Sequence, residues 1–122
     1  RTGLKVHWES ELDTVEVSRE AATAVFRIFQ EVLTNVLRHS QASTIHVRLL
    51  QHRHHLELKV VDDGRGITEA EKQNTESFGL LGMKERALLV GGEVSVTGSS
   101  EKGTTVVVTV PLSRELESQP IA

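Results

Sequence analysis

Apolar and polar residues alternate in Leu4-Lys5-Val6-His7-Trp8, and a period of two predicts a strand. Residues 9–17 are acidic and polar and read as a loop. From Ser18 the spacing changes. Ala22, Val25, Phe26, Phe29, Val32, Leu33, Val36 and Leu37 recur every three or four residues, which predicts one long amphipathic helix. Ser18 suits its N-cap, because a hydroxyl there can accept from a free N–H of the first turn. Gln41-Ala42-Ser43 closes it. Ile45, Val47 and Leu49 then alternate with His46 and Arg48, and Leu56, Leu58 and Val60 repeat that pattern after a polar turn from Gln51 to His55. Two such runs around a turn predict a hairpin, running into Val61-Asp62-Asp63. Gly64-Arg65-Gly66 breaks the ladder. Thr68 to Ser77 is polar and reads as a mobile loop. Gly79 to Val90 reads as a second helix, stopped by Gly91-Gly92. Glu93–Thr97 and Thr104–Val110 are two more strands around a Gly98–Gly103 turn, and Pro111 ends the last. The order β, α, β, β, α, β, β with short turns predicts a mostly antiparallel sheet. Two helices cover one face, an α/β two-layer sandwich.

Composition narrows the chemistry. The chain has 122 residues, a one-domain length, with the domain expected over 1–112 and a polar tail over 113–122. It holds no Cys, which excludes a disulfide framework, a thiol nucleophile and a Cys-based zinc site. The balance of 14 basic and 17 acidic residues offers no overall basic field, so nucleic acid is not an expected partner. No apolar run approaches the roughly 20 residues that span a bilayer. The only Met is Met83 and the chain begins at Arg1, which makes a piece of a longer protein the expectation.

Three glycine clusters, Gly64/Gly66, Gly79/Gly82 and Gly98/Gly103, invite a phosphate reading. A dinucleotide fingerprint fails at Glu69, and a P-loop fails at Thr104, where Lys is required. Other features carry more. Glu31 and Asn35 lie four apart and so share one helix face, with Arg38 and His39 at its end. A carboxylate, an amide oxygen and cationic or imidazole groups suit a Mg²⁺-triphosphate, since Mg²⁺ takes few protein oxygens and shares the rest with water and phosphate. Asp62 closes an apolar strand beside glycines, where a carboxylate can accept from an exocyclic amine such as that of adenine. Gly79-Leu80-Leu81-Gly82-Met83 opens a helix, whose free N–H groups favour anions. Taken alone, the quartet is more readily a solvated helix face, and Asp62-Asp63-Gly64 more readily a turn.

Together, in this order, the features resemble the ATP-binding domain of the GHKL superfamily, the Bergerat fold of bacterial sensor histidine kinases. Phe29 to His39 resembles its N box, and Asp62-Asp63-Gly64-Arg65-Gly66 its D-x-G-x-G box. Gly79 to Met83 resembles the G-L-x-G-M box, and Lys102-Gly103-Thr104 the last glycine-threonine box. The opening Arg1-Thr2-Gly3-Leu4 and the stretch Gly79 to Ala87 are similar to the nitrate-sensor-like subfamily. Lys84 stands where Arg is frequent, and a phenylalanine-rich lid box is absent apart from Phe78.

The resemblance implies a catalytic role for Glu31, polarising water or supporting the metal shell. It implies Asn35, with Glu31, as the Mg²⁺ side chains, and Arg38 and His39 as phosphate contacts. It implies that Asp62 accepts from adenine, with Thr104 sharing a bridging water. Gly64, Gly66 and Ile67 would line the adenine and ribose pocket, and Gly79, Leu80, Gly82 and Met83 would offer amides or close it. The implied activity is that of a histidine kinase, an ATP-dependent phosphotransferase of a two-component system, in the cytoplasm, with ATP and Mg²⁺ as cofactors. The implied partners are the protein's own dimerisation domain, homodimeric in the full-length kinase and bearing the acceptor His, and a response regulator. The piece alone is then a monomer without autophosphorylation. The alternative is a stand-alone anti-sigma-factor-type serine kinase of the same fold. No histidine of the chain has the His-Asp context of an acceptor. His52-Arg53-His54-His55 reads as a solvated hairpin turn and not a metal site, because a strand-turn cluster lacks fixed ligand geometry.

Overall fold

The computed structural model describes residues 3–12, 14–73, 79–99 and 102–114. Five strands form one sheet: β1 (Lys5–Ser10), β2 (Thr44–Gln51), β3 (His55–Asp62), β4 (Glu93–Ser99) and β5 (Gly103–Pro111). Their order is β1-β2-β3-β5-β4. The expected two-layer α/β sandwich with a mixed sheet is what forms. β1 runs parallel to β2, with Val6 opposite Ile45, and the other pairs are antiparallel. The parallel pair follows from the helix between those strands, since a crossover returns the chain to the same end of the sheet.

That helix, α1 (Arg19–Asn35), starts where its cap was expected: Ser18 Oγ accepts from the Ala21 N–H at 3.1 Å. Its end differs from a plain helix. Val36–Ser40 forms a π-helical turn, closed by Gln41 in the left-handed region at φ 57°. The second long helix, here α3 (Leu80–Leu89), begins after Gly79 and ends where the Gly91 and Gly92 N–H groups donate to the Leu88 and Ala87 carbonyls. Within the stretch expected to be a loop lies a short helix, α2 (Glu69–Gln73). Thr68-Glu69-Ala70-Glu71 is a capping box: Thr68 Oγ1 accepts from the Glu71 N–H at 3.1 Å, and Glu71 Oε1 accepts from the Thr68 N–H at 3.0 Å. The rest of that stretch, with Phe78, lies outside the described residues, as does Arg1-Thr2.

The core lies between one face of the sheet and the two long helices. Ile28, Val32 and Val36 meet Ile45, Val47, Leu58, Val60, Val106 and Val108, with Ile67, Leu80, Met83 and Ala87 completing the layer. Each such side chain contributes about 1.5–3 kcal/mol by leaving water. A smaller cluster of Ala21, Leu56, Val110 and Leu112 continues the layer. The buried face of α1 is Ala21, Ala24, Ile28 and Val32, whereas Phe26, expected in its apolar stripe, is 59% exposed. Phe26 lies two residues, about 200° of helix, from both Ala24 and Ile28, so it faces away from the sheet. The opposite sheet face carries His46, Arg48, His55, Glu57 and Lys59, all half-buried or exposed.

Candidate functional site

Four chain segments converge at one end of the sheet. β3 ends there at Asp62 and β5 begins opposite it, with Asp62 paired to Thr104. The π turn of α1 and the start of α3 close the same end. Between them lies a cavity of about 40 Å³, lined by Asn35, His39, Asp62, Gly66, Ile67, Leu80, Met83 and Thr104 among the expected residues. Val32, Val36, Arg65, Val96 and Val106 complete its walls. A mainly apolar cavity with a few convergent polar groups is the usual form of a small-molecule site.

Among the described residues Asp62 is the one buried charged side chain, 6% exposed. Burial pushes its carboxyl up from the ordinary range, more than the backbone N–H bonds from Gly64 and Thr104 pull it down, and the neighbouring charge of Asp63 adds to the rise. The Gly64 N–H donates to Asp62 Oδ1 at 2.8 Å. A Cβ at Gly103 (φ +87°) would collide with the Asp62 backbone oxygen, so a glycine there lets β5 reach its pairing position.

Asp63 does something else. Its Oδ1 accepts from the Ser43 and Thr44 N–H groups at 2.8 and 2.9 Å, and its Oδ2 from the Ser43 hydroxyl at 2.8 Å. The Thr44 and Ser43 bonds hold this carboxyl below the usual range. Asp63 therefore ties the end of β3 to the loop that leaves α1, while Asp62 faces the cavity.

The π turn keeps Asn35 and His39 together on the cavity wall, whereas Arg38 is exposed. Single π turns inside helices recur at functional sites. Glu31 is not in the wall. It packs against Gly79, at the N-cap of α3, where a Cβ would stand 2.9 Å from its Cδ. Gly64, Gly79 and Gly82 also lie outside the cavity lining, and Gly82 is exposed with open space around it.

Arg65 is the wall residue that sequence reasoning left without a role. Its Nε donates to the His39 carbonyl at 2.7 Å, and its two terminal nitrogens hold Glu71 at 3.0 and 2.8 Å. This forked pair links the end of α1 to α2 across the cavity rim. It holds the Glu71 carboxyl down at about 2, with the Thr68 N–H assisting. The signal that could have found it is the capping box at Thr68 and Glu71, which places a carboxylate within reach of Gly64-Arg65-Gly66.

Residues 20–114 match the family described as histidine kinase-, DNA gyrase B-, and HSP90-like ATPase. The chain is 39% identical over 112 residues to the sensor histidine kinase LiaS of Bacillus subtilis, covering 92% of this chain and 30% of that protein. It is 35% identical over 92 residues to the signal transduction histidine-protein kinase/phosphatase DegS of Brevibacillus brevis, covering 75% and 24%. The chain thus spans under a third of the length of these curated relatives. Among solved structures, a blue-light activated histidine kinase of Erythrobacter litoralis superposes with a TM-score of 0.80 at 32% identity, over 96% of this chain and 38% of that one. The catalytic domain of histidine kinase ThkA shares the fold, with a TM-score of 0.75 at 17% identity over 93% of this chain and 81% of that one.

Proposed function

The chain belongs to the histidine kinase-, DNA gyrase B-, and HSP90-like ATPase family, and on that premise we propose that it is the ATP-binding catalytic domain of a sensor histidine kinase. The observation that carries the reading is Asp62, a buried carboxylate in the wall of an otherwise largely apolar cavity. Its raised pKa reflects lost solvation. An N–H donor from a bound ring restores part of that solvation, and the exocyclic amine of adenine is such a donor. A base lacking it leaves the carboxylate unpaired, which is strong discrimination.

In this reading Gly64, Gly66, Ile67 and Thr104 surround the adenine and ribose, Thr104 through a water. Arg38 and His39 face the phosphates, and the start of α3, from Gly79 and Leu80 to Gly82 and Met83, supplies amides or closes the site. Asn35 holds Mg²⁺ with support from Glu31, both partly exposed carbonyl or carboxylate oxygen donors of the kind a hard cation takes. Bound Mg²⁺ neutralises phosphate charge, and the chain's part is positioning. The γ-phosphate goes to a His on an upstream dimerisation domain and from there to a response regulator. The full-length kinase is a homodimer that holds this domain in the cytoplasm, and this domain alone is monomeric and lacks autophosphorylation. Among the described residues no helix is long and apolar enough to cross a membrane. The Gly79–Ala87 stretch further supports a nitrate-sensor-like subgroup. The curated relatives are histidine kinases, one of them a sensor kinase, which favours this reading over a partner-switching serine kinase.

Calorimetry with a nonhydrolysable ATP analogue and Mg²⁺ tests it. The wild type gives a saturable heat and Asp62→Asn does not. Equal heats for the two overturn the adenine role.

A further inference from the structure

At the other end of β3 the hairpin tip expected to be a solvated turn brings His52 and His55 together with Glu57. We propose that His52, His55 and Glu57 form a surface binding site for a transition-metal cation of the Zn²⁺ type.

The backbone sets the juxtaposition. His55 and Glu57 are two apart on β3, so they share the sheet face opposite buried Leu56 and Leu58. His52 stands across the hairpin, its N–H donating to the His55 carbonyl at 2.8 Å. Both strand positions are held from the far side too, His55 by pairing with Pro111 and Glu57 by pairing with Thr109. The tip is tied down where Arg114 Nη2 donates to the Arg53 carbonyl at 2.7 Å.

On this frame one ligand atom from each of the three side chains lies within 4.8 Å of the others. His52 Nε2 and Glu57 Oε1 are 3.1 Å apart, and the His52 and His55 rings are 4.6 Å apart. Tetrahedral Zn²⁺ with bonds near 2 Å sets neighbouring ligand atoms about 3.3 Å apart. The His52–Glu57 pair already has that spacing, and a rotation of His55 about its side-chain bonds brings the third group in. Two imidazoles and one carboxylate suit Zn²⁺, Cu²⁺ or Ni²⁺ far better than Mg²⁺ or Ca²⁺. Three protein ligands leave one position for water. The cations Arg53 and Arg114 beside the tip oppose a metal ion and keep the affinity modest. The site is seven residue steps along β3 from Asp62, about 23 Å at strand spacing, so it is separate from the cavity.

The test is a calorimetric titration of the chelator-treated chain with Zn²⁺ at neutral pH, with Mg²⁺ as the comparison ion. One saturable Zn²⁺ per chain is expected, and none of Mg²⁺. His55→Ala and Glu57→Gln should each weaken Zn²⁺ by about tenfold or more, since even loss of an outer partner costs that much. His54→Ala, next to the set but outside it, should leave affinity unchanged. Thermal unfolding of each variant without metal confirms that it is folded, and any variant that fails this check is replaced by His52→Gln. Absence of saturable Zn²⁺ binding overturns the site, as does affinity that survives in His55→Ala or is lost in His54→Ala. Neither result depends on whether the chain binds ATP.

Discussion

The carboxylate of Glu31, on α1, lies against Gly79 at the start of α3, leaving so little room that an added Cβ would sit 2.9 Å from Glu31 Cδ. Gly79 is also in the left-handed region, at φ +64°. Two boxes far apart in sequence are therefore joined by one contact. Gly79→Ala is predicted to destabilise the domain by about 1–2 kcal/mol, the cost of left-handed backbone for a residue with a Cβ. Crowding of Glu31 adds only a little, because its side chain can swing aside. In a Glu31→Ala background the crowding vanishes and the backbone cost remains, so the penalty shrinks without disappearing. Chemical denaturation of the four proteins in the cycle checks this. A Gly79→Ala protein as stable as wild type contradicts it.

Asp62→Asn should separate binding from stability. The buried carboxylate is destabilising when charged, as its raised pKa states. Because that pKa lies above the unfolded value, the charge cost is absent well below the ordinary carboxylate range and grows as pH rises through the folded pKa. The amide keeps an oxygen for the Gly64 N–H and carries no charge. The expected result at neutral pH is a melting temperature equal to wild type or higher, with binding of the ATP analogue lost. A large fall in melting temperature would show that the charge is structural.

Asn35 can be tested through its metal. Wild type should bind the ATP analogue more tightly with Mg²⁺ than with a chelator. In Asn35→Ala that ratio should fall by about tenfold or more, the scale of losing one metal partner. Unchanged Mg²⁺ dependence in calorimetry contradicts the metal assignment.

The Arg65–Glu71 pair has a pH signature. Arg65 holds the Glu71 carboxyl at about 2 against an ordinary 4.5. Its lowered pKa means that the pair contributes fully above the ordinary range and loses that contribution as pH falls toward about 2. NMR titration of the Glu71 carboxyl should give that midpoint in wild type. In Arg65→Ala the midpoint should rise toward the ordinary value, while staying below it because the Thr68 N–H still donates. An unmoved midpoint contradicts the pair.

Much of the fold was legible because its signals are local. The Ser18 cap, the strand alternations at Ile45 and Leu56, and the Gly91-Gly92 stop each depend on neighbours a few residues away. The α1 stripe was less legible. Periodicity marks which residues are apolar, but the partner surface decides which are covered. Ile28 is fully buried while Phe26, two residues and about 200° of helix away, is not. Helix α2 was missed because a five-residue helix has no hydrophobic period to detect, only a capping box.

From its sequence alone, the five strands and two long helices and their order were determined, since caps, periods and glycine breaks act over one or two turns of backbone. Only the tertiary structure decided which of two adjacent carboxylates lines the cavity. Strand pairing sets Asp62 opposite Thr104, under the helices, and turns Asp63 outward to Ser43 and Thr44. It likewise joined Arg65 to Glu71 and gathered His52, His55 and Glu57. For Asp62 and Asp63 the physical reason is register: contacts across strands are set by pairing between distant segments, and local pattern carries no register until the sheet forms. The other two contacts are close in sequence, and what decided them is the fold of a short turn, which hydrophobic periodicity does not report.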